Sequence, residues 1–269
     1  PLYSSAASDV YKRQYYQRSA PNTRTTIDEH LQKIEAFSKK AEDFRLKSTS
    51  PNSIILSVGN ELTNHLAGAT YDNLNGYLER IVDKVRANFH GKITYLAANQ
   101  QAERFGVDWR KLNLDFIAPH MYFAKKWVTA DRLMRDIYRL KEFGKPLYSS
   151  EFGCETWLGA SEYGGQETPH NITDVYSQEE QAQNIAETLE IYQRASLEGA
   201  TLWVFLNKWP PGQDLRSMGI LKYNGATTPS SRKLGFYIYR SYVLPTSSPT
   251  ISSRSKSNLT LPTLPLVSN

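Results

Sequence analysis

The sequence is poor in several features that define common classes of protein. Its 269 residues contain one cysteine, Cys154, so neither an internal disulfide nor a cysteine-based zinc site is expected. No apolar run approaches the ~18 residues that a membrane helix requires, and the sequence therefore predicts no membrane partner. No strand candidate is followed by a G-x-G-x-x-G or P-loop pattern, which argues against a nucleotide-binding enzyme.

The net charge is also small once the two ends of the chain are set apart. The whole sequence carries a formal charge of +5. Residues 1–14 contribute +1, from two basic residues and one acidic residue, and residues 244–269 contribute +2, from two basic residues. This leaves +2 for residues 15–243, and so weak a charge gives little support to a nucleic-acid partner.

Side chains that would hold a metal or a covalently bound cofactor are not grouped in the sequence. The five histidines show no tight ligand spacing: His30, His65, His90, His120 and His170. No lysine stands at the end of a predicted strand in surroundings that suggest a Schiff base. We therefore expect no cofactor and no metal.

The two ends of the chain show no pattern of a folded domain. The run SSAASDVYKRQ, residues 4–14, lacks the apolar core of a secretory signal and the periodic apolar face of a helix. It resembles the translation of a transposase adapter used in sequencing libraries, so residues 1–14 are predicted to be non-native and the protein proper to begin near Tyr15; the alternative is a genuine, disordered N-terminal arm. Residues 244–269 are rich in Ser, Thr and Pro and predict a disordered tail.

Between these ends, short apolar runs alternate with longer helical stretches. Strands are predicted at Ser53–Gly59, Lys92–Ala98, Leu114–Tyr122, Pro146–Phe152 and Ala200–Leu206. Helices are predicted at Thr26–Lys47, Tyr71–Phe89, Ala130–Phe143, Ser177–Glu198 and Ser231–Tyr242, with a capping box at Ser177 and Glu180. This alternation is typical of βα units on a parallel sheet, so the predicted fold class is α/β.

Two of the predicted strands end in a glutamate. The run SIILSVGNE places Glu61 just past one strand, and PLYSSEFG places Glu151 at the end of another. Either residue alone is more simply interpreted as a solvated strand end, because an unpaired carboxylate is costly to bury. Two glutamates facing one cleft are instead what glycosidic cleavage requires, since one carboxyl protonates the leaving oxygen while the other attacks or activates water.

Four motifs near the ends of predicted strands extend this pattern. They are Asn60-Glu61, His120-x-Tyr122, Glu151 in EFG and Trp203 in LWVF. In this order they resemble a large clan of retaining (β/α)₈ glycoside hydrolases that includes endoglucanase-, mannanase- and galactanase-like enzymes. The stretches EFGCETWLGASEYGGQ, LWVFLNKWPP and DLRSMGILK look closest to microbial barrel proteins often labelled abortive-infection or putative hydrolase.

The resemblance covers roughly residues 26–243 and implies a TIM (β/α)₈ barrel. On this reading Ser53–Gly59 is the fourth strand and Ala200–Leu206 the eighth. The first three βα units have no counterpart in the sequence. We therefore expect residues 15–243 to form an N-terminally truncated catalytic domain, whose own activity is left open.

The resemblance also implies catalytic roles for matching residues. Glu61 would be the general acid/base, and Glu151 the nucleophile that forms a covalent glycosyl-enzyme. Tyr122 would donate a hydrogen bond to Glu151 and help to keep it ionised. His120 would shape the sugar site or the surroundings of the acid/base, although without the motif order it is more simply a core histidine. In a retaining enzyme the two carboxyls should lie about 5–5.5 Å apart.

Further residues are candidates for binding the sugar. Asn60 would bond the 2-hydroxyl, and Trp203 would be the platform under the bound ring. Trp157 and Trp209 lie in predicted loops, where aromatic rings either stack on sugars or cover the core.

The implied activity is hydrolysis of a β-linked oligo- or polysaccharide by a monomeric enzyme. A second class stays open from the residues alone, namely a non-catalytic barrel that binds carbohydrate.

Overall fold

The computed structural model describes residues 27–62, 74–163, 175–203, 218–222 and 231–243. Its helices are α1 (Ile27–Lys47), α2 (Leu74–Arg86), α3 (Ala130–Lys141), α4 (Ala160–Tyr163), α5 (Gln178–Arg194) and α6 (Leu234–Val243). Its strands are β1 (Ile55–Asn60), β2 (Lys92–Ala97), β3 (Phe116–Pro119), β4 (Tyr148–Phe152), β5 (Gly199–Leu202), β6 (Leu221–Lys222) and β7 (Ser231–Arg232). The predicted N-terminal segment, residues 1–14, and the predicted tail, residues 244–269, lie outside these ranges.

Strands β1 to β5 follow one another in the sheet in the order of the chain. β1, β2 and β3 pair in parallel, and β4 pairs in parallel with β5. Parallel bridges from Ile117 to Leu147 and from His120 to Glu151 join the edge of β3 to β4. Sequential parallel strands with intervening helices are the pattern of a (β/α) barrel, which confirms the predicted fold class.

The helices pack against this sheet with the faces that their sequences predict. In α3, Leu133, Ile137 and Leu140 are buried on one side, and the hydroxyl of Thr129 accepts the N–H of Arg132 at the N-terminus. The predicted capping residue Ser177 accepts the N–H of Glu180 over 3.3 Å at the start of α5. The apolar face of α3 is thus directed to the core, and among its charged residues Asp136 is also buried.

Some elements differ from the prediction at their ends. The helix predicted from Ser231 begins at Leu234, because Ser231 and Arg232 pair as β7 with β6. The side chain of Gln178 accepts the N–H of Leu234 over 2.9 Å, which marks the start of α6. The connection from β2 to β3 contains a short 3-10 helix, Ala102–Phe105, and the buried Trp109 covers this part of the core.

Across the ranges that the structure describes, no helix combines the length and apolar composition needed to cross a membrane.

Candidate active site

Glu61 and Glu151 lie at the carboxyl ends of β1 and β4, two strands of the parallel arrangement that the bridges between β3 and β4 connect. Glu61 directly follows β1, and Glu151 lies near the end of β4. The bridge between His120 and Glu151 brings the residue after β3 beside β4. This is the face on which barrel enzymes carry their active sites.

His120 lies between the two carboxylates. Its Nδ1 is 3.0 Å from Oε1 of Glu61 and 3.4 Å from Oε2 of Glu151. Those two carboxylate oxygens are therefore at most 6.4 Å apart, the sum of 3.0 and 3.4 Å. The imidazole is 2% exposed, and Nε2 has no hydrogen-bond partner among the residues that the structure describes. His120 is thus buried, but it faces two acidic side chains, unlike a core histidine whose polar atoms are all satisfied.

The hydroxyl of Tyr122 donates to Oε2 of Glu151 over 3.2 Å. Burial raises the pKa of Tyr122 well above its usual range, and the charge of Glu151 beside it acts in the same direction. The phenol therefore stays protonated and remains a donor. The two carboxylates differ in exposure, since the side chain of Glu151 is 8% exposed and that of Glu61 is 30% exposed.

Glu61 follows an irregular part of β1, and Glu151 lies within an irregular part of β4. The pairing register shifts after Ser57 in β1 and after Ser149 in β4. At each point a serine hydroxyl donates to a carbonyl two residues on, from Ser57 to Gly59 over 2.7 Å and from Ser149 to Glu151 over 3.1 Å. A register shift of this kind re-aims the side chains that follow it.

The backbone of Glu61 adopts a left-handed conformation, with φ of 52°. A non-glycine residue in this region costs of the order of 1–3 kcal/mol and persists only where its surroundings fix it. The N–H of Glu61 donates to the carbonyl of Leu96 in β2 over 2.8 Å, which holds the backbone in place. The main chain thus fixes the direction in which the Glu61 side chain leaves the strand.

Asn60 and Trp203 lie at the same end of the sheet. Asn60 is the last residue of β1 and pairs with Leu96, and Trp203 follows β5. The N–H of Trp203 donates to the carbonyl of Phe152 over 2.7 Å. A Cβ on Gly153 would lie 2.2 Å from the carbonyl oxygen of Trp203, so only glycine permits this approach of the two strand ends. The roles of Asn60 and Trp203 towards a sugar stay predictions.

Trp157 is buried, at 3% exposure. Its indole N–H donates to Glu155 over 2.7 Å, and its ring lies 5.7 Å from that of Tyr163. These contacts favour the alternative that this loop aromatic covers the core. Trp209 lies outside the described residues, so its predicted role in stacking on a sugar stays a prediction.

The site shows no sign of thiol chemistry. Cys154, three residues after Glu151, is fully buried, and burial raises the pKa of its thiol far above the usual range, which disfavours the thiolate. Within the described ranges, no three or more His, Cys, Asp or Glu side chains form a group that could hold a metal ion.

Sequence reasoning did not single out Tyr192, which lies behind the site. Its hydroxyl donates to the carbonyl of Met121 and lies 3.1 Å from the hydroxyl of Ser149. The apolar spacing of α5 places Tyr192 on the buried face, but periodicity carries no information about where a buried hydroxyl finds its partner.

A parallel βα sheet with two carboxylates close together at its carboxyl end is typical of the (β/α)₈ glycoside hydrolases. The model of Glycoside Hydrolase Family 113 matches residues 53–216. The chain belongs to this family, whose members are retaining (β/α)₈ hydrolases of the predicted clan. The match confirms the resemblance stated from the four motifs.

Solved structures of low identity share the fold. A β-1,4-mannanase of Family 113 is 18% identical with a TM-score of 0.60, over 81% of this chain and 62% of its own. A β-mannanase from Alicyclobacillus acidocaldarius is 17% identical with a TM-score of 0.56, over 80% and 61%. The β-glucuronidase from Ruminococcus gnavus is 14% identical with a TM-score of 0.54, over 80% and 36%.

The chain therefore spans about three fifths of the length of these mannanases. A comparison with curated proteins gave no match.

Proposed function

We propose that the whole protein is a retaining glycoside hydrolase that cleaves β-linked glycans by double displacement, with Glu61 as general acid/base and Glu151 as nucleophile. The observation that carries this proposal is the placement of both carboxylates on Nδ1 of His120, which limits the separation of their nearest oxygens to 6.4 Å. Retaining enzymes hold their carboxyls about 5–5.5 Å apart, and inverting enzymes about 6.5–9.5 Å. The limit on the nearest oxygens includes the retaining spacing, and the stereochemistry of the product distinguishes the two mechanisms.

The different surroundings of the two glutamates support the assignment of roles. The hydrogen bond from Tyr122 favours the ionised form of Glu151 over the protonated form that burial alone would favour, and it holds the carboxylate in one orientation. Glu61 is partly exposed, so it can exchange its proton with solvent. A nucleophile needs the first kind of environment, and an acid that later acts as a base needs the second.

The reaction would proceed in two steps. In the first, Glu151 attacks the anomeric carbon, the glycosidic bond breaks, and Glu61 gives its proton to the leaving oxygen. In the second, Glu61 takes a proton from water, the oxygen of that water attacks the same carbon, and the bond to Glu151 breaks. Two inversions give net retention. Asn60 would hold the 2-hydroxyl of the sugar during both steps, and Trp203 would lie against its ring.

The first substrate to test is β-1,4-linked mannan, since two of the similar structures are described as mannanases. The whole protein should release mannose or manno-oligosaccharides, and NMR should show the β-anomer as the first product. Glu151→Gln should abolish turnover, and equal rates for wild type and variant would refute the assignment of the nucleophile.

The same measurements separate catalysis from binding. Affinity for the glycan without turnover, unchanged in Glu151→Gln, would indicate the non-catalytic carbohydrate-binding barrel. The monomeric state, the lack of a nucleic-acid or membrane partner and the lack of a cofactor stay predictions.

A further inference from the structure

Helix α5 buries a row of polar side chains against the sheet. Gln181, Asn184, Thr188 and Tyr192 are each 0–1% exposed and recur at helical spacing. Gln181 donates to the carbonyl of Cys154 over 2.9 Å, and Asn184 donates to that of Phe123 over 3.1 Å. Both carbonyls belong to the segments that follow β3 and β4. These buried side chains of α5 therefore support the main chain of the segments that follow β3 and β4.

Tyr192 contacts the residues on both sides of the proposed nucleophile. Its ring meets that of Phe152 edge to face at 5.5 Å, and its hydroxyl lies 3.1 Å from that of Ser149. Ser149 and Phe152 flank the register shift in β4, and Glu151 lies between them. One side chain of α5 thus contacts both sides of the irregular segment that carries Glu151.

The same hydroxyl also holds the segment opposite Glu151. Tyr192 donates to the carbonyl of Met121, whose own N–H donates to the carbonyl of Glu151 over 2.9 Å. Each hydroxyl has one hydrogen. Tyr192 gives its own to Met121, so the hydrogen of Ser149 is shared between the carbonyl of Glu151, at 3.1 Å, and the oxygen of Tyr192, also at 3.1 Å. The neighbours of Met121 are His120 and Tyr122, whose side chains contact the Glu151 carboxylate.

We propose that Tyr192 is a positioning residue, which fixes the segment 120–122 against Glu151 and so sets the orientation of the carboxylate for attack. The inference rests on the proposed function, because it assumes that Glu151 reacts. If Tyr192 had only a structural role, removing its hydroxyl would change the stability of the protein and leave kcat unchanged.

The test compares Tyr192→Phe with Tyr148→Phe in the whole protein. Both remove one phenolic oxygen, but the hydroxyl of Tyr148 bonds to Thr201 at the other end of β4. Tyr192→Phe should lower kcat on β-1,4-manno-oligosaccharides about tenfold or more with KM little changed, because misplacing a reacting group affects the transition state. Tyr148→Phe should leave kcat within about twofold of the wild-type value.

A second readout does not depend on turnover. Amide hydrogen exchange of the peptide 117–123 should become faster in Tyr192→Phe, because Met121 loses its support, and should stay unchanged in Tyr148→Phe. Thermal unfolding checks that each variant is folded. If Tyr192→Phe does not fold, the variant Ser149→Ala takes its place. It removes the hydroxyl that lies beside that of Tyr192, and it should show the same two effects more weakly.

The two readouts separate failure of this inference from failure of the proposed function. Wild-type protein that hydrolyses no glycan, or does so no faster than Glu151→Gln, would overturn the function and the inference with it. An active wild type, with kcat or peptide exchange unchanged in Tyr192→Phe or equally changed in Tyr148→Phe, would overturn the positioning role alone.

Discussion

The hydroxyl of Tyr122 donates to Oε2 of Glu151 over 3.2 Å, from a strand end adjacent to the one that carries the glutamate. The contact is buried, and the pKa of Tyr122 is raised by burial first and by the charge of Glu151 second. The donor therefore keeps its proton throughout the pH range in which a glycosidase works, so its bond to the carboxylate is present whenever Glu151 is ionised.

Tyr122→Phe should lower kcat/KM about ten- to a hundredfold, since a hydrogen bond to a charged group contributes about 1.5–3 kcal/mol. The donor favours the ionised carboxylate, and its loss should move the acidic limb of the pH profile to higher pH. A pH series of kcat/KM on the wild type and the variant checks both effects. If the acidic limb does not move, Tyr122 has no influence on the ionisation of Glu151.

Glu61→Gln should affect substrates according to their leaving group. On manno-oligosaccharides kcat should fall roughly 10²–10⁴-fold, because general acid catalysis is lost. A dinitrophenyl β-mannoside needs no proton on its leaving group, so the first step should persist and give a burst of the phenolate, followed by slow turnover. Stopped-flow absorbance measures the burst. Loss of the burst as well would show that Glu61 is not the proton donor.

Gly153→Ala should destabilise the protein, by about 1–3 kcal/mol, because the new Cβ would meet the main-chain carbonyl of Trp203 at 2.2 Å. Gly76→Ala is the matched control, since no atom lies within 4 Å of its added Cβ in α2. Gly76→Ala should stabilise the protein by about 0.5–1 kcal/mol, because alanine has a higher helix propensity than glycine. Urea unfolding compares the two, and shifts of the same sign would contradict the steric argument.

Glu42 should contribute to the loss of stability in acid. A hydrogen bond from Arg45 is the main cause that lowers the pKa of Glu42 from 4.5 to about 2. Because the folded-state pKa lies below the unfolded one, the contribution is complete above about pH 4.5 and disappears as the pH falls towards 2.

Glu42→Gln should therefore be less stable than the wild type at neutral pH, by about 1 kcal/mol, with the difference vanishing near pH 2. Urea unfolding at several pH values measures this difference in the free energy of unfolding. A difference that does not change with pH would show that the ionised form of Glu42 does not cause it.

The strands and the two glutamates could be predicted from the sequence, because both depend on local patterns. Glu61 follows the run SIILSVG and Glu151 ends the run PLYSSE, and short runs of this kind between longer helical stretches are typical of strands. The burial of Trp157 could not be predicted, since it depends on Glu155 and Tyr163 folding around the ring. The pairing of β6 with β7 involves two residues on each side, too few for a periodic signal.

The register shifts beside the glutamates were also beyond the reach of the sequence. A shift is a relation between two strands, and the sequence of one strand does not contain it. The serines at these points, Ser57 and Ser149, look like ordinary strand residues until their hydroxyls are seen to bond to carbonyls two residues on.

Those serine-anchored shifts have a consequence for how substrate preference can change over evolution. Glu151 lies within β4, and the main chain of Glu61, just past β1, is held by its hydrogen bond to Leu96 of β2, so the strands contribute directly to the spacing of the two carboxylates. Substitutions and insertions in the loops can therefore alter which sugar is admitted without disturbing the stereochemical outcome. In such a scaffold the reaction depends on the strand ends and the substrate preference on the loops. Closely similar barrels can therefore act on different sugars with the same chemistry.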